Sequence, residues 1–341
     1  MIKEKMKKTG ALVITLAMLM SVLILPQVGA AVGVENDRTD CAIEINVKDI
    51  GLKELSGEDE NVEALPITVN LYKVADISVE GEYFAAAGLE TLDFSGLSNE
   101  TTAEEWAALA ELTKAEIEAD EMTITATGIT AEGTVTINDL AAGLYLIDAQ
   151  QVLSDYYQYD FTPYLISLPN NYYYSTEDED DTWVYELTGE KAVGLKPEKT
   201  DRYGDLIINK ELDVYNETLG GANFVFQIEG TKTDIDTGDV KVVYSDVVSM
   251  TFEGYGFDSI KIEHLPAGSE IAVTEVYSGA CYELASEGTQ TAIIEVEEAA
   301  EVGFSNTFNE QLNGGTGLVN SFIYNSENGE WTHYASVDST P

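Results

Sequence analysis

Leu206-Ile207-Ile208-Asn209-Lys210-Glu211-Leu212 reads as a β-strand with one side chain out of keeping with the rest. Side chains alternate between the faces of a strand, so Leu206, Ile208, Lys210 and Leu212 share one side, and an amine points with three aliphatic residues toward a core. Two later runs behave in the same way. Ile271-Ala272-Val273-Thr274-Glu275-Val276-Tyr277 places Glu275 in phase with Ile271 and Val273, and Val302-Gly303-Phe304-Ser305-Asn306-Thr307-Phe308 places Asn306 in phase with Val302 and Phe304. An unpaired buried amine or carboxylate costs several kcal/mol, so the three polar groups must either meet or be misplaced.

A lysine, a glutamate and a carboxamide that meet in a dry core have a reaction open to them. Burial lowers the pKa of an amine and raises that of a carboxyl, which favours a neutral nucleophile beside a protonated acid. Lys210 can then attack the side-chain carbonyl of Asn306 while Glu275 polarises that carbonyl and shuttles protons, and ammonia leaves. The product is an internal Lys–Asn isopeptide bond. The competing reading is a half-exposed Lys210–Glu275 ion pair with Asn306 as a turn residue.

The stretches holding these residues resemble a known family. Leu206-Ile-Ile-Asn-Lys210, His264-Leu-Pro-Ala-Gly-Ser-Glu-Ile-Ala-Val-Thr-Glu275-Val and Phe304-Ser-Asn306-Thr-Phe are similar to the isopeptide-forming immunoglobulin-like domains (CnaB or streptococcal pilin type) of Gram-positive pilins and adhesins. That resemblance implies cross-linking roles for Lys210 and Asn306, a catalytic role for Glu275, a pilin-type β-sandwich and a mechanical, extracellular purpose. The expected fold class is all-β, with two tandem immunoglobulin-like sandwiches, a short helical insertion in the first and a C-terminal β-hairpin tail.

The chain has 341 residues, a length that fits about two domains. Residues 1–30 read as a secretory signal, with Lys3, Lys5, Lys7 and Lys8 before an apolar run and Val28-Gly29-Ala30 as the cleavage site. No later stretch is long and apolar enough to span a bilayer, so an exported, soluble or surface-associated protein is expected. The formal charge is −45, which disfavours nucleic acid and anionic membranes as partners.

Residues 41–199 form the expected first sandwich. Ile43-Glu-Ile-Asn-Val47, the run from Thr68 to Ala75, Met122-Thr-Ile-Thr-Ala126, Gly133-Thr-Val-Thr-Ile137 and Leu144-Tyr-Leu-Ile147 are its predicted strands. Tyr83-Phe84 opens an inserted lobe in which Thr102-Ala-Glu-Glu105 is a capping box for a short helix. Asn70-Leu-Tyr-Lys-Val-Ala, Ala142-Gly-Leu-Tyr-Leu-Ile, Pro163-Tyr-Leu-Ile-Ser-Leu-Pro169 and Trp183-Val-Tyr-Glu-Leu are similar to the N-terminal domain of major pilin subunits. Lys199-Thr-Asp-Arg-Tyr-Gly204 reads as a polar hinge into a second sandwich at 205–310.

A repeat links the two domains, since Ile137-Asn-Asp-Leu-Ala-Ala-Gly143 aligns with Ile262-Glu-His-Leu-Pro-Ala-Gly268. In that register Gln150 takes the place of Glu275, and Lys48 is out of phase with the apolar residues of its strand, leaving only Lys73 ambiguous. No isopeptide bond is expected in the first domain.

Residues 311–341 read as a linker, Gly314-Gly-Thr-Gly317, and a hairpin holding Trp331 and Tyr334. A lone hairpin is marginal in water, so it either packs on its own domain or docks a partner by strand addition. The partners implied by the resemblance are other pilin or surface-protein subunits. In that family a sortase joins subunits through a lysine; Lys191, Lys196 and Lys199 are the candidates, without the usual tyrosine–proline–lysine context, and no sorting motif is present.

Other functions draw less support. Cys41 and Cys281 permit one disulfide or two unpaired thiols. The acidic run at 177–181 and the turn Asp234-Ile-Asp-Thr-Gly-Asp239 lack the spacing of a calcium loop and read as solvated, so no metal or cofactor is expected. With two histidines and no nucleophile motif, conventional enzyme activity is not expected. The alternative function is a secreted adhesin or glycan-binding module, with Tyr156, Tyr157, Tyr159 and tyrosines 172–174 as a stacking platform.

Overall fold

The computed structural model describes residues 33–48, 50–98, 101–170, 183–311 and 321–334. The leader, the acidic run at 177–181, tyrosines 172–174 and the glycine joint at 314–317 lie outside the described residues. The chain divides into two compact units, Met1–Ser154 with Gln158–Thr200, and Asp155–Tyr157 with Asp201–Pro341. Both are built mainly of β-structure.

From Cys41 to Asp201 the elements are β1 (Cys41–Asn46), α1 (Lys53–Ser56), β2 (Thr68–Ile77), β3 (Tyr83–Ala85), α2 (Ala103–Ala119), β4 (Ala126–Ile129), β5 (Thr134–Leu140), β6 (Gly143–Ala149), β7 (Val152–Leu153), β8 (Tyr157–Phe161), β9 (Tyr164–Leu168), β10 (Glu186–Leu187), β11 (Val193–Gly194) and β12 (Pro197–Asp201). One sheet runs β10-β1-β11 with β5 also on β1, and another runs β3-β2-β6-β9 with β4 also on β2.

The inserted lobe carries α2, opened by the expected capping box. Thr102 Oγ1 accepts from Glu105 N at 3.2 Å, and Glu105 Oε2 accepts from Thr102 N at 2.8 Å. The helix continues to Ala119 and buries Ala110 and Ile117 against Val74, Leu144, Leu146 and Leu165. Met122-Thr-Ile-Thr-Ala126 departs from expectation, because the strand starts only at Ala126. Met122 packs into the helix core, and Thr125 meets β2 through its side chain, with Oγ1 accepting from Lys73 N at 2.8 Å.

The second unit contains β13 (Tyr203–Leu212), β14 (Ala222–Thr233), β15 (Val240–Phe252), β16 (Gly256–Pro266), β17 (Glu270–Tyr277), β18 (Tyr282–Leu284), β19 (Thr289–Ile293), β20 (Ala300–Phe308) and the hairpin β21 (Ser321–Asn325) with β22 (Glu330–Tyr334). Its two four-stranded sheets run β16-β13-β20-β18 and β15-β14-β17-β19. Leu206, Ile208, Val302 and Phe304 from the first sheet share a core with Phe224, Phe226, Ile228, Ile271 and Val273 from the second. Burying side chains of this size contributes about 1.5–3 kcal/mol each, which is what holds the layers together. The expected hinge before this unit is not a loop, since β12 ends at Asp201 and β13 begins at Tyr203.

First and last strands lie side by side, with β13 and β20 parallel and Leu206 beside Ala300 through to Leu212 beside Asn306. The C-terminal hairpin meets the second unit at β15, where Trp331 N donates to Ser245 Oγ at 3.0 Å.

Candidate functional site

Strand alternation puts Lys210, Glu275 and Asn306 inside. On β13 the buried positions are Gly204, Leu206, Ile208, Lys210 and Leu212, and Lys210 has no exposed surface. On β17 they are Ile271, Val273 and Glu275, and on β20 Val302, Phe304 and Asn306. Lys210 and Asn306 sit on neighbouring strands of one sheet, whereas Glu275 reaches in from the other.

One carboxyl serves both nitrogens. Lys210 Nζ donates to Glu275 Oε2 at 2.7 Å, and Asn306 Nδ2 donates to Glu275 Oε1 at 2.6 Å. Lys210 Nζ also contacts Asn306 Oδ1, and Asn306 Nδ2 reaches the Ser278 carbonyl at 3.5 Å. Glu275 thus meets the nitrogen of the carboxamide and not the oxygen that the sequence reading expected it to polarise. The Phe224 ring lies 4.4 Å from the lysine nitrogen and the Phe226 ring 5.8 Å from it. Burial pushes the Lys210 amine below its ordinary pKa, against the opposing pull of the Glu275 hydrogen bond and charge. A half-exposed ion pair does not describe this site.

The first unit repeats part of the strand plan without the amine and carboxyl. Asp139 and His264 occupy the same repeat position, and both adopt positive φ, 56° and 65°. Ile45 pairs with Val135 as Ile208 pairs with Ile260, so Val47, fully buried, stands where Lys210 does. Val69 pairs with Ala149 as Phe226 pairs with Glu275. The residue at the place of Glu275 is therefore Ala149, and not Gln150, which is exposed beyond the end of β6. The cause is a turn one residue longer in the second unit: Tyr145 is the second residue after Gly143, and Ile271 the third after Gly268.

Other candidates in the first unit find separate partners. Lys73 Nζ lies 2.6 Å from Asp76 Oδ1, and Lys114 Nζ lies 2.8 Å from Asp148 Oδ1 on the helix-facing side of β6. Among the described residues of this unit the buried polar side chains are Ser56, Asn70, Thr113, Thr130 and Ser154. Cys41 and Cys281 are both buried and neither forms a disulfide. Of the described members of the expected tyrosine platform, Tyr157 and Tyr159 are buried and Tyr156 is exposed.

Sequence reasoning passed over Lys232, a second inward lysine with Asp201 Oδ1 at 2.7 Å and the Tyr157 ring at 4.0 Å. Its signal was the same alternation, running Phe224, Phe226, Ile228, Gly230 and Lys232.

A family described as a domain of unknown function (DUF5979) matches residues 206–309. No curated protein matches the chain. Among solved structures, a streptococcal ancillary pilin is 11% identical, covers 79% of this chain and 69% of its own, and has a TM-score of 0.25. The Bacillus anthracis TIE protein is 14% identical over 87% of this chain and 41% of its own, with a TM-score of 0.30. The shaft pilin SpaA from Lactobacillus rhamnosus GG is 10% identical over 81% and 100%, with a TM-score of 0.27. Overlap at that level leaves function to be read from the site itself.

Proposed function

We propose that this chain is an extracellular structural subunit of pilin type whose second unit closes on itself through a Lys210–Asn306 isopeptide bond. The observation that carries the reading is the buried contact of amine, carboxyl and carboxamide. Glu275 takes a proton from Lys210 through Oε2, and the neutral Nζ attacks Cγ of Asn306. The acid returns a proton through Oε1 to Nδ2, the Cγ–Nδ2 bond breaks, and the carboxylate passes the second Nζ proton to the departing ammonia, which leaves as ammonium while the new amide forms. The reaction is intramolecular, runs once per chain and leaves Glu275 unchanged.

A structural role follows from where the bond falls. It ties the first and last strands of the unit, so that they cannot separate while the rest of the sandwich is strained. Other pilin or surface subunits are the partners this role requires, and the C-terminal hairpin offers a strand for joining them. Intact mass spectrometry of the purified chain tests the chemistry. The wild type is expected to be lighter than calculated by one ammonia, and Lys210→Ala and Glu275→Ala to show their full calculated masses. A wild-type chain at full mass removes the bond.

A further inference from the structure

The reacting groups come from both layers of the sandwich, so the reaction depends on how the layers are held beside it. Packed sheets sit about 10 Å apart, and one short carboxyl must touch two nitrogens across that gap. Gln290 lies on β19 opposite Val273 and shares its inward face. Its carboxamide crosses to the other sheet, where Oε1 accepts from Gly303 N at 3.0 Å and Nε2 donates to the Gly303 carbonyl. A side chain thus supplies the pair of bonds that a neighbouring strand would normally make.

The position matters because β18 accompanies β20 only from Asn306 to Phe308. Upstream, Ser305 N donates to Ser286 Oγ at 3.2 Å, and the Ser305 carbonyl accepts from Ala285 N at 2.8 Å. Gln290 extends this support to Gly303, next to Phe304, which lies beside Lys210. On its own sheet, the segment leading into β19 holds the strand of the acid, because Glu275 N donates to the Gly288 carbonyl at 2.9 Å. Gln290 is therefore two residues from the backbone partner of Glu275 and grips the strand of Asn306 three residues before it.

We propose that Gln290 is a positioning residue for isopeptide formation: a side-chain bridge between sheets that sets the register and spacing at which Glu275 reaches both Lys210 and Asn306. The proposal rests on the Lys210–Asn306 bond of the preceding section. Displacing reacting groups by about an ångström can slow a reaction on the order of 100-fold, so loss of the bridge is expected to slow bond formation by about 10-fold or more.

Cell-free synthesis of the full chain, with samples quenched in acid over time and read by intact mass, gives the rate of ammonia loss. Gln290→Ala is expected to lose ammonia at least about ten times more slowly than wild type, and Gln290→Glu, which keeps the acceptor for Gly303 N, to fall between them. Circular dichroism melting of Lys210→Ala and Lys210→Ala/Gln290→Ala, neither able to cross-link, reads the structural contribution separately. Similar melting of these two, with slowed ammonia loss in Gln290→Ala, supports positioning. An unchanged rate in Gln290→Ala overturns the bridge alone, and so does an unfolded Lys210→Ala/Gln290→Ala chain, which reduces Gln290 to a structural residue. A wild-type chain that never loses ammonia overturns the bond and the role of Gln290 together.

Discussion

The first unit places Val47 and Ala149 where the second places Lys210 and Glu275, on strands paired in the same way. Both units bury these two sites. One fills them with groups that need nothing from their neighbours, the other with groups that are tolerable only in company. The strand plan therefore does not create the reactive site. It supplies three inward positions close enough to react, and the side chains decide whether anything happens there.

The largest effect should come from removing the amine. Lys210→Ala forfeits the proposed covalent tie between residues 96 apart in sequence, a loop closure of about 4–5 kcal/mol by analogy with disulfides. It also removes one of the hydrogen-bond partners of the buried Glu275 carboxyl, a loss of about 1–3 kcal/mol. Thermal denaturation should show the second unit melting tens of degrees below wild type. A drop of only a few degrees would mean that the two units are held by the same ordinary forces.

The converse change sharpens the comparison. Val47→Lys places an amine at a fully buried site, and the first unit should lose several kcal/mol, read as an early calorimetric transition. Retention of wild-type melting would show that this site, unlike that of Lys210, opens to water.

A pH dependence should separate the units more gently. In the uncross-linked Asn306→Ala chain, burial keeps the pKa of Lys210 below its unfolded value. Between those two values the unfolded state holds the extra proton, so stability should rise with pH, by up to about 1.4 kcal/mol per pH unit. Chemical denaturation across mildly alkaline pH checks this, and a fall in stability with pH refutes it. The smallest effect is expected at Lys73, whose partner Asp76 is largely exposed. Lys73→Met should change stability by no more than about 0.5–1 kcal/mol in urea titrations.

Much of the site was legible in the sequence because a period of two is rigid. Three polar residues on apolar phases identified the buried faces of β13, β17 and β20. Register between strands was less legible, since it depends on turn length. A turn one residue longer before Ile271 moved the equivalence from Gln150 to Ala149, and no local pattern announced it. Gln290 was invisible for another reason. A glutamine on a short, half-buried strand looks like any edge residue until the strand opposite proves to have a vacant ladder. The contact of Met122 with the helix core depends likewise on a partner distant in sequence.

The proposed bond between the parallel strands β13 and β20 has a further consequence wherever the chain meets a protease. With Lys210 joined to Asn306, every peptide bond from Glu211 to Ser305 lies inside a closed ring. A cut in the surface turn around Asp236, or at the exposed tip near Tyr255, opens the ring without parting the chain. The unit could be nicked there and still hold its two ends together.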